Sequence, residues 1–375
     1  MVSIIGYTYF GYPVVVSIFA YFFNKPIQFG SYTPTVALIV PAFNEESVIE
    51  AKIHNLLSLS YPKNKLNIIV ASDGSTDSTN ELVTRYKESG VKLIVSSLRN
   101  GKNGLLNSVI PNITEEIVVI SDANIELASD SLSELISSFS DRNVGGAWAD
   151  KEYRNRSKSA AGEGESLYLR YEKFIKSKET KLGSIVAGEC SCLAFRRELF
   201  SSIPIDIPDD FALSTNVIAK GMRMVYVPSA KTYEDTSPTD KDEYHRKIRI
   251  IERAFRGFSY RLPLANPLKT GVYAVSLITR QLLRKGVALL FLALIIILPF
   301  LWSRGGIYVA ANLVAIVVIA LSIIGAIAHG GWRQLPVLYV PYYFVLVNIA
   351  ALAGLFRFLR GEKSVKWQPT SRFEK

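Results

Sequence analysis

The stretch VVISDANIE, Val118 to Glu126, decides how this chain is read. Apolar and β-branched residues run into Ser121, then Asp122, Ala123 and Asn124, with Glu126 close behind. A strand ending on an acid and an amide can turn a corner through bonds to its own backbone. It can equally present two hard oxygens to a cation. The neighbouring segments decide between the two.

Working outward, strand-like and helix-like segments alternate from about Thr35 to Met224, the pattern of an α/β domain with parallel strands. TVALIVPAF (Thr35 to Phe43) reads as a buried strand, and Asn44 as the cap of a helix in which Ile49, Ile53, Leu56 and Leu57 recur at helical spacing. LNIIVASD is a second strand, followed by STNE (Ser78 to Glu81) in the form of a capping box and by Gly90 as a helix stop. VKLIVSS is a third strand and EEIVVISD a fourth. Ligands of such sheets bind beyond the carboxyl ends of the strands. Asn44 and Glu45, Asp73, RNGKNG (Arg99 to Gly104), and Asp122 with Asn124 all fall there, which favours a shared site over isolated turn chemistry.

Neither GxxxxGK[ST] nor a GxGxxG after a strand is present, so phosphates at this rim would need a metal and basic side chains. Asp122 and Asn124 suit a magnesium or manganese ion that keeps waters and substrate phosphates as its other ligands. Cys190 and Cys192 are too close for an unstrained disulfide and too few for a zinc site, and read as buried thiols of a strand.

The flanks are oily. Ile4 to Phe23, Gly286 to Trp302, Ile307 to Ala328 and Leu335 to Phe356 each approach the length that crosses a bilayer core. The net charge of +10 sits largely beside them, in RQLLRKG (Arg280 to Gly286) and RFLRGEKSVK (Arg357 to Lys366). That placement suits anionic headgroups on the cytoplasmic side, and no aromatic-interleaved basic module points to nucleic acid. One span before the soluble part and three after put the tail on the face opposite to it, whereas the tail's cations favour the inside. A segment that enters and returns around Pro336 and Pro341 would reconcile them.

VPAFNEE, ASDGSTDST, RNGKNGLLN, SDANIE, IPDDFALS and HRKIRI, in that order, resemble the motifs of the family 2 glycosyltransferases over roughly Thr35 to Arg256. GYTYFGYP before them and RGEKSVKW after them look like its membrane-bound members. The resemblance implies a GT-A fold, a Rossmann-like mixed sheet, and inverting transfer of a sugar from a nucleotide-diphosphate-sugar donor. Pro41, Ala42 and Glu45 would border the nucleoside, Asp73 would contact base or ribose, and Lys102 would lie near the donor. Asp122 and Asn124 would stand at the family's metal-binding DxD, with Mg2+ or Mn2+ as cofactor. Asp210 would be the general base, with Asp209 capping its helix and raising its basicity, and Arg249 and Arg246 would face the diphosphate.

Two departures bear on this. Asn124 removes a negative charge that DxD often carries, and Arg246 and Ile250 stand where processive synthases keep the Gln and Trp of QxxRW. The expected division is an N-terminal transmembrane helix (1–24), a GT-A catalytic domain (34–260), an interfacial helix (265–285), three transmembrane segments (286–358) and a basic tail (359–375). The expected protein is integral to the cell membrane, its catalytic domain cytoplasmic, acting on a lipid-linked or glycan acceptor. A processive polysaccharide synthase is the alternative. A transporter or scaffold that only senses nucleotide is weakened by the lack of ionisable residues in the four spans.

Overall fold

The computed structural model describes residues 1–154, 160–186, 192–234, 240–328, 332 and 335–362, with the side chains of 160–168, 240–243, 245 and 246 excepted. Its centre is one eight-stranded sheet: β1 (Val36–Ala42), β2 (Leu66–Ser72), β3 (Val91–Val95), β4 (Ile117–Ser121), β5 (Glu126–Leu127), β6 (Val144–Tyr153), β7 (Cys192–Arg196) and β8 (Arg223–Glu234). The spatial order is β3-β2-β1-β4-β7-β6-β8-β5. β1 to β4 pair in parallel, β7 runs antiparallel between β4 and β6, and β5 closes the far edge antiparallel to β8.

Alternation of side chains along a strand explains why the central strands read as continuous apolar runs. Val36, Leu38, Val40 and Ala42 of β1 join one apolar core with Ile68, Val70, Ile117 and Val119. Ala37 and Ile39 join the opposite core with Ile69, Ala71, Val118 and Ile120. Both faces are covered, so truncating one of these side chains to alanine costs roughly 2–5 kcal/mol.

Two expected caps are absent because other bonds use the same groups. Asn44 sits at φ 53, and its Oδ1 accepts from Thr76 N at 2.8 Å, tying the ends of β1 and β2 together. Ser78 makes no side-chain cap, and its N–H, which Glu81 would accept from in the box, donates to Glu46 Oε2 at 3.0 Å instead.

Among the described residues four helices are long and apolar enough to cross a membrane: Val2–Phe22, Val272–Arg304, Gly306–Ile327 and Pro336–Leu359. The segment expected as a separate interfacial helix instead begins with short turns, Leu262–Ala265 and Pro267–Thr270, and from Val272 continues into the second of these helices. Its cations are not left for headgroups: Arg280 Nη1 reaches Glu179 Oε2 at 2.7 Å, and Arg280 and Arg284 both pair with Glu172. Glu179 also accepts from Tyr12 OH at 2.6 Å, so a nearly water-free charge network joins the first helix to the sheet domain.

Pro336 and Pro341 lie within a single helix rather than at a returning turn. That helix ends against the Asp240–Tyr260 helix, where a Cβ on Gly354 would lie 2.8 Å from Ile248 O and where Phe255 stacks on Phe358. Arg256 donates to Glu362 O, so the tail begins against the sheet domain. Ile251 and Phe255 are buried there with Ala288 and Ala351 instead of facing lipid.

Candidate active site

The carboxyl ends of β1, β2 and β4 and the start of the Asp209–Ala219 helix converge on one rim. Pro41 and Ala42 are buried at the end of β1, and Glu45 is 8% exposed with its N–H donating to Thr79 Oγ1 at 2.9 Å. Asp73, also buried, accepts from Asn100 N at 2.8 Å and Gly101 N at 2.7 Å. Both its oxygens therefore brace the loop that starts the Gly101–Val109 helix, a role the expected contact with base or ribose did not include. Arg99 lies over the Phe43 ring at 3.7 Å, adding a cation and an aromatic face beside this corner.

Lys102, in the first turn of that helix, is the hub. Its Nζ is 2.7 Å from Asp122 Oδ1 and 2.8 Å from Asp209 Oδ2, so one ammonium joins the end of β4 to the acids of PDDFALS. Asp209 is thus an ion-pair partner and not the expected cap; no side chain caps the helix at Pro208. Asp210 Oδ1 accepts from Phe211 N at 2.7 Å. Burial first, then the Asp209 charge beside it, pushes the Asp210 carboxyl up to about 6. Burial would also raise Asp209, but the Lys102 ammonium and Arg253 more than offset it and hold that carboxyl below its usual range.

Asn124 Nδ2 donates to Glu234 Oε1 at 3.0 Å, and Glu234 pairs with Lys151 at 3.1 Å. Among the described residues no group of three or more His, Cys, Asp or Glu side chains is placed to hold a metal. Asp122, with its side chain 32% exposed, and the amide oxygen of Asn124 form a small set of hard oxygen donors. Such a set suits a magnesium or manganese ion that takes most of its ligands from water and phosphate, and it suits zinc poorly.

One residue escaped the sequence reading. Lys52, 3% exposed, reaches under the Asp122 turn, donating to Ser121 Oγ at 2.7 Å and Ile125 O at 2.5 Å, and burial pushes its ammonium down to about 8. It falls in a helical run of apolar residues, where a lysine reads as surface. Arg253 Nη2 donates to Ile207 O at 2.5 Å, holding the segment that leads into Asp209. Arg249 is half-buried on the same helix, one turn before it; the Arg246 side chain lies outside the described residues.

The family model Glycosyl transferase family 2 matches residues 37–203. A β-monoglucosyldiacylglycerol synthase of Nostoc sp. is 31% identical over 167 residues, 44% of this chain and 35% of that protein. A poly-β-1,6-N-acetyl-D-glucosamine synthase of Staphylococcus aureus is 27% identical over 202 residues, 52% of this chain and 48% of that one. These matches thus span a third to a half of the relatives' lengths. The mannosyltransferase PcManGT from Pyrobaculum calidifontis, solved with GDP-Man and Mn2+, superposes with a TM-score of 0.72 at 22% identity, covering 96% of this chain and 98% of that one. Residues 37–203 therefore match the Glycosyl transferase family 2 model within a GT-A-type mixed sheet, joined, among the described residues, to four helices long and apolar enough to cross a membrane.

Proposed function

We propose that the protein is a membrane-embedded glycosyltransferase that moves a sugar, with inversion, from a nucleotide-diphosphate-sugar donor to the hydroxyl of a lipid-linked or glycan acceptor. The observation that carries this reading is the joining of Asp122 and Asp209 through Lys102, with Asp210 adjacent, at one rim of a GT-A sheet. Inversion needs one attack from the face opposite the leaving diphosphate, so one base suffices. Asp210 takes the acceptor's proton as its oxygen bonds the anomeric carbon and the bond from that carbon to the diphosphate oxygen breaks. Such a base contributes roughly 10² to 10⁴ in rate, and a carboxyl near 6 is ionised at neutral pH while being more basic than an ordinary aspartate.

Asp122 and Asn124 would hold a divalent metal, Mg2+ or Mn2+, which when bound neutralises charge on the leaving diphosphate. Lys102 and Arg253 add fixed positive charge there. Arg249 and Arg246 are assigned to the diphosphate, Pro41, Ala42 and Glu45 to the nucleoside, and Asp73, which also braces the loop at Asn100 and Gly101, to the base or ribose. Support for a manganese ion and a nucleoside-diphosphate donor comes from the ligands of PcManGT, and for a lipid acceptor from the diacylglycerol named in the Nostoc relative. Nucleotide sugars are cytosolic, so the sheet domain and the tail that begins beside it are assigned to the cytoplasmic face of the cell membrane.

The test incubates purified protein in detergent with GDP- and UDP-sugars and membrane lipid extract, with and without EDTA. Metal-dependent transfer to a lipid or glycan is expected; binding of nucleotide without any transfer or donor hydrolysis would favour a sensing domain instead. The second reading, a processive synthase, draws on the Staphylococcus relative and is separated by product length.

A further inference from the structure

We propose that Lys102 is a built-in competitor for the metal ion, so that the cation enters this site only together with the donor's diphosphate. The proposal rests on the glycosyltransferase reading and concerns how its site is loaded. Of Asp122 and Asn124 only Asp122 is anionic, since position 124 is an amide, and Glu126 at the end of the turn is paired with Arg154. Lys102 Nζ is 2.7 Å from Asp122 Oδ1, the geometry of a strong charge-assisted bond, and is only 18% exposed. Its second anchor, Asp209 Oδ2 at 2.8 Å, holds the ammonium in place. Lys52 adds a second ammonium beneath the same turn, bonded to Ser121 Oγ at 2.7 Å. Glu234, a further carboxylate beside the turn, is drawn toward Asn124 Nδ2 and toward Lys151 at 3.1 Å.

A bare dication therefore meets a carboxylate already bonded to an ammonium that Asp209 holds in place, with a second lysine behind it. Like-charge repulsion and loss of the Lys102 bond both oppose its entry. A nucleoside diphosphate brings the missing negative charge and oxygens, so the metal and the diphosphate bind as a pair. This also gives a physical role to the departure from DxD at Asn124: a second aspartate would bind the metal without waiting for the donor.

The experiment measures Mn2+ binding to the full-length protein in detergent by the loss of the free-ion paramagnetic resonance signal, without turnover. Wild type should bind Mn2+ at least about tenfold more tightly with UDP or GDP present than without, and Lys102→Met should bind Mn2+ alone at least about tenfold more tightly than wild type, as removal of an adjacent unit charge requires. Lys102→Arg, which keeps the charge, should match wild type. If the methionine variant fails to fold, Lys102→Gln makes the same comparison. A charge-removing variant that binds Mn2+ alone no better than wild type, while wild type binds it with nucleotide, overturns the competitor role and leaves the glycosyltransferase reading intact. Failure of wild type to bind Mn2+ under every condition overturns the metal assignment itself, and this proposal with it.

Discussion

Asp209 and Asp210 are consecutive in the first turn of one helix, yet their carboxyls move in opposite directions: Asp209 is held down by Lys102 and Arg253, while Asp210, buried beside that fixed charge, is pushed up to about 6. Adjacent side chains leave a helix about 100° apart, so one reaches the Lys102 ammonium and the other does not. The pair divides into a permanent anion and a base.

The pH profile should carry that division. kcat/KM for transfer should rise with pH and level off above an acid limb near 6, where Asp210 ionises. An acid limb near 4, measured over pH 4 to 8 at saturating metal, would remove Asp210 as the base. Asp210→Asn should lose roughly 10² to 10⁴ in kcat while nucleotide affinity changes little.

Stability should move the other way. Folding raises the Asp210 carboxyl from an ordinary 3.8 to about 6, so protonation favours the folded form. Its contribution is fully present below about pH 4 and is lost as the pH climbs through about 6. Asp210→Asn should therefore raise Tm at pH 8, by an amount corresponding to about 1–3 kcal/mol, and leave it unchanged at pH 4. Equal shifts at both values would show that the carboxyl is not destabilised by its charge.

Lys52→Met keeps the length of the side chain but leaves Ser121 Oγ and Ile125 O without their buried donor, at a cost of about 1–3 kcal/mol. Because those two groups bracket Asp122 and Asn124, KM for the donor should rise several-fold more than Tm loss alone explains. Thermal melts and donor titrations on the same preparation separate the two effects.

Arg280→Ala removes the shared partner of Glu172 and Glu179, leaving two carboxylates nearly buried and one cation short. Breaking a buried pair from one side costs roughly 3–5 kcal/mol. The first apolar helix, held through Tyr12 on Glu179, should loosen with it, seen as faster proteolysis near Lys25. Gly354→Leu should likewise uncouple the last helix from the sheet domain, since a Cβ there would lie 2.8 Å from Ile248 O and the helices would have to part.

Much of the plan was readable from local pattern. The apolar runs at 36–42, 66–72 and 117–121 are strands, because a strand buried on both faces takes apolar residues at nearly every position, whereas 91–95 is a strand at the sheet edge and largely exposed. The four oily segments are long helices for a related reason: backbone in lipid must satisfy its own hydrogen bonds. The rim was legible too, since polar residues at successive parallel strand ends fall on one side of a sheet. The cap assigned to Asn44 and the box at STNE were misread, because Thr76 engages the Asn44 side chain and Glu46 takes the Ser78 N–H, each from the neighbouring strand end.

By itself, then, the sequence determined four of the eight strands, the long apolar helices and which residue types line those strand ends, because these depend on periodicity and on neighbours within a few positions. Only the tertiary structure decided that Lys102 bridges Asp122 to Asp209, that Lys52 is a buried brace, and that Arg280 and Arg284 serve Glu172 and Glu179 instead of headgroups. Each of these joins segments distant in the chain, and which oppositely charged groups meet is set by how the sheet, the helices and the membrane spans pack. No local spacing in the chain encodes that choice.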